Sequence, residues 1–227
     1  MAVVVGSGVA ASRLSPNDVG LQLLQNSTAT ALGLTVLILM LGPVSGAHFN
    51  PVVSLADWFL GRRSGSGLPL ADVTAYVAAQ CLGAIGGAIL ANVMFDVDSG
   101  MATTVRDTGG QLVGEVVATA GLLLMIFSLV RTGRSALAAP AVGAYIGAAY
   151  WFTSSTSFAN PAVTVGRMFS DTFAGIDPGS VPGFVGMQIL GGAVAIAIIL
   201  ALYPEPSRRS GTVVAPSHQA QPATTSS

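Results

Sequence analysis

Long apolar runs separated by short polar loops organise this chain. Runs of helix-spanning length cover Leu21–Leu41, Ala71–Phe95, Gln111–Val130, Ala136–Thr156 and Val181–Tyr203. Each holds about 20 residues or slightly more, enough to cross about 30 Å of hydrocarbon at 1.5 Å per residue. Met1–Ala11 is apolar but only half a span. Two further segments, Pro51–Leu60 and Pro161–Phe173, are too short to cross. Each follows an Asn that can cap a helix and opens on a Pro suited to its first position. At about 15 and 20 Å they predict two half-helices that together replace one span.

The two halves repeat. Phe49-Asn50-Pro51-Val52-Val53-Ser54-Leu55 parallels Ala159-Asn160-Pro161-Ala162-Val163-Thr164-Val165, and Gln80-Cys81-Leu82-Gly83-Ala84 parallels Gln188-Ile189-Leu190-Gly191-Gly192. Three spans per half is odd, so the second half enters the membrane from the opposite side. The expectation is an all-α inverted repeat whose broken helices meet near the midplane. It forms one domain over residues 1–203, with repeats of about 1–95 and 111–203, followed by a Pro/Ser/Thr/Ala-rich disordered tail, 204–227.

Composition agrees with a polytopic membrane protein. Hydrophobic residues make up 52% of the chain and charged ones 8%, where a soluble domain carries about a quarter charged. Mean hydropathy is +0.70. The 28 glycines often recur at four-residue spacing, as in Gly83-Gly87 and Gly143-Gly147, which predicts close helix approach. A net charge of −1 without any Lys leaves no footprint for nucleic acid, and the lone Cys81 excludes an internal disulfide framework. No cleavable signal peptide is evident. Six of the nine Arg (Arg62, Arg63, Arg131, Arg134, Arg208, Arg209) fall in loops of one side and the tail. Asp96, Asp98, Asp107, Asp171 and Asp177 fall on the other. Positive-inside then puts both termini in the cytoplasm.

Non-helical backbone at membrane depth is tolerated only where it is buried in protein or lines a water-filled cavity. Two half-helices meeting head-on aim about half a positive charge each at the midplane, which repels cations and protons but admits neutral molecules. Asn50 and Asn160 can cap their helices and still offer an amide donor to the lumen.

Ser45-Gly46-Ala47-His48-Phe49-Asn50-Pro51-Val52 and Ser157-Phe158-Ala159-Asn160-Pro161-Ala162 resemble the signature loops of the aquaporin/glycerol-facilitator (major intrinsic protein) family. The resemblance runs from about Val3 to Tyr203. It implies a six-span bundle and a homotetramer with one pore per subunit, passing water or small neutral solutes without cofactor or metal. The first motif has Val52 for the family's Ala, at a position that packs the half-helices together. The family's four-residue filter carries over by offset to Thr30, Ala148, Ser157 and Val163. Val163 stands where the family usually has Arg, and Thr30 and Ala148 are small, which implies a wider, less polar filter. Gly143–Phe152 and Asp171–Ile176 are similar to bacterial aquaglyceroporins associated with arsenic resistance. That likeness brings in arsenite, as As(OH)₃, beside a general glycerol-type facilitator, in a bacterial inner membrane.

Five further residues follow. Arg167, one turn beyond Val163, either restores a cation at the outer mouth or pairs with Asp171 as a solvated mouth residue. His48 is expected to hold its loop by a hydrogen bond rather than bind metal. Glu115, costly in a span unless paired, accepts from the re-entrant loop backbone in the family. Gln80 and Gln188 brace the loops comparably.

The family's first span begins with a Glu about a dozen residues before a Val-Val-Gly-Ser-Gly stretch, which here lies at Val4–Gly8. Half of span one, with the counterpart of Glu115, is therefore expected to be missing through a mis-placed start or a truncated product. The competing functions are a water-selective channel, a non-conducting truncated membrane protein, and a secondary transporter. The transporter lacks intramembrane Asp, Lys or paired carboxylates for ion coupling, and no catalytic set argues for an enzyme.

Overall fold

A computed structural model describes residues 1–62, 64–98 and 100–203. The expectations for the tail and for Arg63, Arg208 and Arg209 lie outside them. Eight α-helices follow one another among the described residues: α1 Ala2–Leu14, α2 Val19–Ser45, α3 Pro51–Gly61, α4 Leu70–Met94, α5 Gly109–Arg131, α6 Ala138–Phe152, α7 Pro161–Arg167 and α8 Val181–Leu202. Helices α2, α4, α5 and α8 are long and apolar enough to cross a membrane.

The polarity of α2 is inside out. Its buried side chains are Gln22, Asn26, Ser27 and Thr30, whereas Leu24, Leu32, Val36 and Leu39 are exposed. Only an apolar solvent rewards that arrangement, because polar groups in lipid must be satisfied within the bundle. Asn26 illustrates this: its amide donates to the Val4 carbonyl and to Ser7 Oγ, both at 2.9 Å, pinning α1 to α2. Trp151 Nε1 likewise donates to Ser27 Oγ at 3.1 Å, joining α6 to α2.

Helix α5 packs along α8, α2 along α6, and the half-helix α7 against α4. A core of Val52, Ala56, Leu122, Leu123, Phe127, Ile146 and Ile199 joins α3, α5, α6 and α8. The close approach expected at Gly143 is present: a Cβ there would lie 2.0 Å from Thr35 Oγ1 and 2.5 Å from the Ala31 carbonyl of α2. Gly83 differs. A Cβ there meets nothing within 4 Å, and Gly83 faces the central cavity instead of a helix.

Two elements are shorter than the apolar pattern predicts. The run Ala136–Thr156 resolves into a 3-10 turn, Ser135–Leu137, and the 15 residues of α6. Pro140 suits a first helical turn, where a missing N–H costs nothing, so the regular helix starts just before it. The second half-helix has 7 residues, ending at Arg167 and not at Phe173. Beyond it the chain turns back, and the Ile176 N–H donates to the Arg167 carbonyl at 3.3 Å. The half-helices are thus roughly 16 and 10 Å long.

Candidate functional site: a central cavity

Each half-helix starts with the cap that its sequence predicts. Asn50 Oδ1 accepts from the Val52 N–H at 3.0 Å, and Asn160 Oδ1 accepts from the N–H groups of Ala162 and Val163 at 3.0 and 3.3 Å. Pro51 and Pro161 occupy the first helical positions. The amide donors then cross between halves. Asn50 Nδ2 donates to the Ala159 carbonyl at 2.7 Å, and Asn160 Nδ2 to the Phe49 carbonyl at 2.8 Å. An amide nitrogen carries two hydrogens, so this reciprocal pair leaves one donor on each Asn. Both Asn line the cavity.

The loops ahead of the half-helices need support, because Ala47, Thr156, Ser157 and Ala159 adopt positive φ of 51°, 61°, 51° and 50°. Non-glycine residues visit that region at a cost. Glu115, fully buried on α5, accepts from the Phe158 and Ala159 N–H groups at 2.9 and 2.8 Å, and from Gln188 Nε2 at 2.6 Å. Gln188 also donates to Thr164 Oγ1 at 2.8 Å, and that hydroxyl donates to the Asn160 carbonyl. The other half repeats the device. Gln80 Nε2 donates to Ser54 Oγ at 3.0 Å and to the His48 carbonyl, and Ser54 Oγ donates to the Asn50 carbonyl at 3.3 Å. Ser54 and Thr164 each stand four residues after their Asn. That repeated hydroxyl was legible in the sequence as a bracing pair.

A cavity of about 1060 Å³ runs past both Asn. At one end it is lined by Ser45, His48, Asp57, Tyr76 and Ser135, and at the other by Thr30, Tyr150, Ser157, Val163 and Arg167. Ser157 lines that end, and its Oγ is buried and has no hydrogen-bond partner among the described residues.

Several expected placements need correction. Ala148 is exposed on the outer side of α6 and does not reach the cavity. Beyond Ala138 at its start, the α6 residues that do are Ala139, Val142, Ile146 and Tyr150, three or four apart on one face. Tyr150 Oη lies 3.3 Å from Thr30 Oγ1. The three-to-four-residue spacing on α6 was the signal that could have found it. Val52 points away from the lumen, and its Cγ1 fills the space where a Cβ on Gly192 of α8 would lie, 2.4 Å away. The added bulk therefore sits between α3 and α8, not between the half-helices. The His48 imidazole does not hold its loop: Nδ1 has no partner, the ring meets Tyr76 edge-on at 5.9 Å, and the backbone carbonyl makes the bond to Gln80.

Arg167 is 2% exposed, so it is not a solvated mouth residue. It does not pair with Asp171, whose Oδ1 accepts from the Thr103 N–H and hydroxyl at 2.9 and 3.0 Å. Its guanidinium instead packs on the Phe158 ring, and Nε donates to the Ala174 carbonyl. Arg106, in the loop between α4 and α5, joins it there, donating to the Gly175 and Phe173 carbonyls at 2.9 and 3.2 Å. Burial lowers the Arg106 guanidinium from its usual range, with the Glu115 carboxylate acting in the opposite sense. No three His, Cys, Asp or Glu side chains gather to hold a metal among the described residues.

The family profile described as Major intrinsic protein matches residues 1–159. The chain belongs to the major intrinsic protein family. A similar member is the aquaglyceroporin AqpS of Rhizobium meliloti, 48% identical over 200 residues that cover 88% of this chain and 83% of that protein. Aquaporin Z of Brucella melitensis is 35% identical over 165 residues, covering 64% and 70%. Among solved structures, the aquaglyceroporin from Plasmodium falciparum superposes with a TM-score of 0.63 at 19% identity, covering 89% of each chain, a likeness of fold. As a major intrinsic protein with apolar spans, the chain is a multi-pass membrane channel for small solutes and not an enzyme.

Proposed function

We propose that this major intrinsic protein is a passive facilitator for small neutral hydroxylated solutes, namely glycerol-like polyols, arsenite as As(OH)₃, and water. The observation that carries the reading is the Val163 end of the cavity. There the hydroxyl-bearing residues Thr30, Tyr150 and Ser157 share the lining with apolar Val163 and Phe158. A polyol needs both kinds of surface, because each of its carbons bears a hydroxyl that must be paired and an apolar C–H side that need not be. As(OH)₃ is a comparably small, uncharged triol. Cations and protons are opposed at the centre by the two half-helix N-termini and the free amide donors of Asn50 and Asn160. In this reading the channel acts as a homotetramer in a bacterial inner membrane, and the Arg-rich loops favour a cytoplasmic His48 end and cytoplasmic termini.

A water-selective channel is the second reading. The approach of Tyr150 to Thr30, which narrows the lumen, and the likeness to aquaporin Z favour it.

Light scattering from liposomes carrying the protein separates the two. The facilitator accelerates glycerol and arsenite entry over empty liposomes; acceleration of water alone selects the second reading. Saturating flux, or dependence on a proton gradient, would exclude a channel. V163R places a guanidinium in the slot and is expected to cut glycerol and arsenite flux several-fold more than water flux. Equal losses would sink the assignment of Val163 to the filter.

A further inference from the structure

Val163 carries no charge, yet Arg167 lines its end of the cavity and a second guanidinium, that of Arg106, shares the Phe158 ring behind it. We propose that Arg167 and Arg106, gathered on the single ring of Phe158, form the principal cation barrier of this channel, with Arg167 facing the lumen and Arg106 reinforcing it from the loop between α4 and α5. The inference rests on the channel reading above and adds to it the residues that determine charge selectivity.

The two residues come from distant parts of the chain to one place. The guanidinium carbon of Arg167 lies 3.6 Å from the Phe158 ring centroid, in stacking contact, and that of Arg106 lies 5.3 Å away. Phe158 is itself locked edge-on against Phe184 of α8, with centroids 5.1 Å apart. Each arginine is held by hydrogen bonds to neutral carbonyls: Ala174 for Arg167, and Gly175 and Phe173 for Arg106. Carbonyls and an aromatic face solvate a guanidinium without cancelling its charge. Glu115 carries the nearby carboxylate, which accepts from the neutral donors of Phe158, Ala159 and Gln188 and keeps its own charge; one negative charge against two guanidinium groups leaves this end of the cavity net positive.

Arg167 also has spare donors on the correct side. Its terminal nitrogens make no hydrogen bond among the described residues, are not among the buried polar atoms sealed without a partner, and belong to a residue that lines the cavity. The barrier is strong by comparison. Each half-helix end presents about half a charge, and α7 has only 7 residues, whereas each guanidinium is a full charge in a water-poor setting. An arginine of this kind refuses cations while offering donors to neutral hydroxyls. Its position one turn beyond Val163 lets the slot stay wide where the side chain is small.

The alternative is that Arg167 only pins the loop that follows α7. Proteoliposomes of the full chain distinguish the two when glycerol flux and the leak of protons and K⁺ are measured on one preparation. The readout is the ratio of leak to glycerol flux. R167M is expected to raise it about tenfold, R106M about threefold, and R167K, which keeps the charge, to leave it near the wild-type ratio. A pinning role predicts instead that R167M and R167K lose thermal stability together while the ratio stays constant, and that result overturns the proposal. If R167M carries no glycerol at all, R106M decides: an unchanged ratio there overturns the proposal, and a raised one sustains it. Absence of neutral-solute flux from the wild-type chain would instead overturn the channel reading, which keeps the two failures apart.

Discussion

Tyr150 and Ala148 stand two residues apart on α6, which places them about 200° apart around a helix of 3.6 residues per turn. The filter position carried over by offset lands on Ala148. The helix, however, turns Val142, Ile146 and Tyr150 to the lumen. Counting assumes a constant path between α6 and the half-helix. The segment 153–159 breaks that assumption with three residues of positive φ, Thr156, Ser157 and Ala159. The expected consequence is specific. Y150A removes both the ring and its hydroxyl contact with Thr30, and should raise the permeability of four- and five-carbon polyols several-fold, read by liposome light scattering. A148L places its bulk outside the cavity and should leave the polyol profile unchanged; a blocked pore in A148L would return Ala148 to the filter.

Among the elements, glycines in similar sequence patterns behave differently. Gly143 lies where α6 presses on α2, and a methyl group there would collide with Thr35 and the Ala31 carbonyl. Gly83 has the same four-residue spacing to its neighbour Gly87 but opens onto the cavity. G143A is therefore expected to lower stability by about 1–3 kcal/mol through overpacking. G83A should stay within about 0.5 kcal/mol of wild type, as substitutions away from tight contacts do. Thermal unfolding in detergent measures both, and equal effects would contradict the packing described. Spacing records only that two small residues share a helix face. Which face meets another helix depends on how that helix is rotated in the bundle, and residues distant in sequence set that rotation. The half-helix lengths show the same division: both starts were readable from Asn-Pro, but the end of α7 was not. It is set by the Arg167 carbonyl bonding Ile176 and by Asn92 of α4 donating to the Phe169 carbonyl at 2.8 Å.

Over the whole molecule, the inverted repeat is closed by the reciprocal Asn bonds at its centre. N50A and N160A each delete a cap, worth about 1 kcal/mol, and each also orphans a carbonyl of the other half. The two substitutions should therefore be non-additive, with a coupling of about 0.5–3 kcal/mol in a double-mutant cycle followed by thermal unfolding. Strict additivity would mean that the halves do not support each other through these bonds. The apolar runs, the two Asn-Pro starts and the parallel Gln80 and Gln188 were enough to read the membrane bundle, its twofold repeat and the two motifs that meet. These features depend on local chemistry: lipid demands apolar runs of a set length, and a helix start demands a cap. The lining of the mouth was decided only in three dimensions. Tyr150 reaches the lumen through the rotation of α6, Val52 is absorbed by Gly192, and Arg106 joins Arg167 because residues 102–106 fold over the chain that follows α7. Each depends on contacts between residues far apart in sequence, and no local pattern records those contacts.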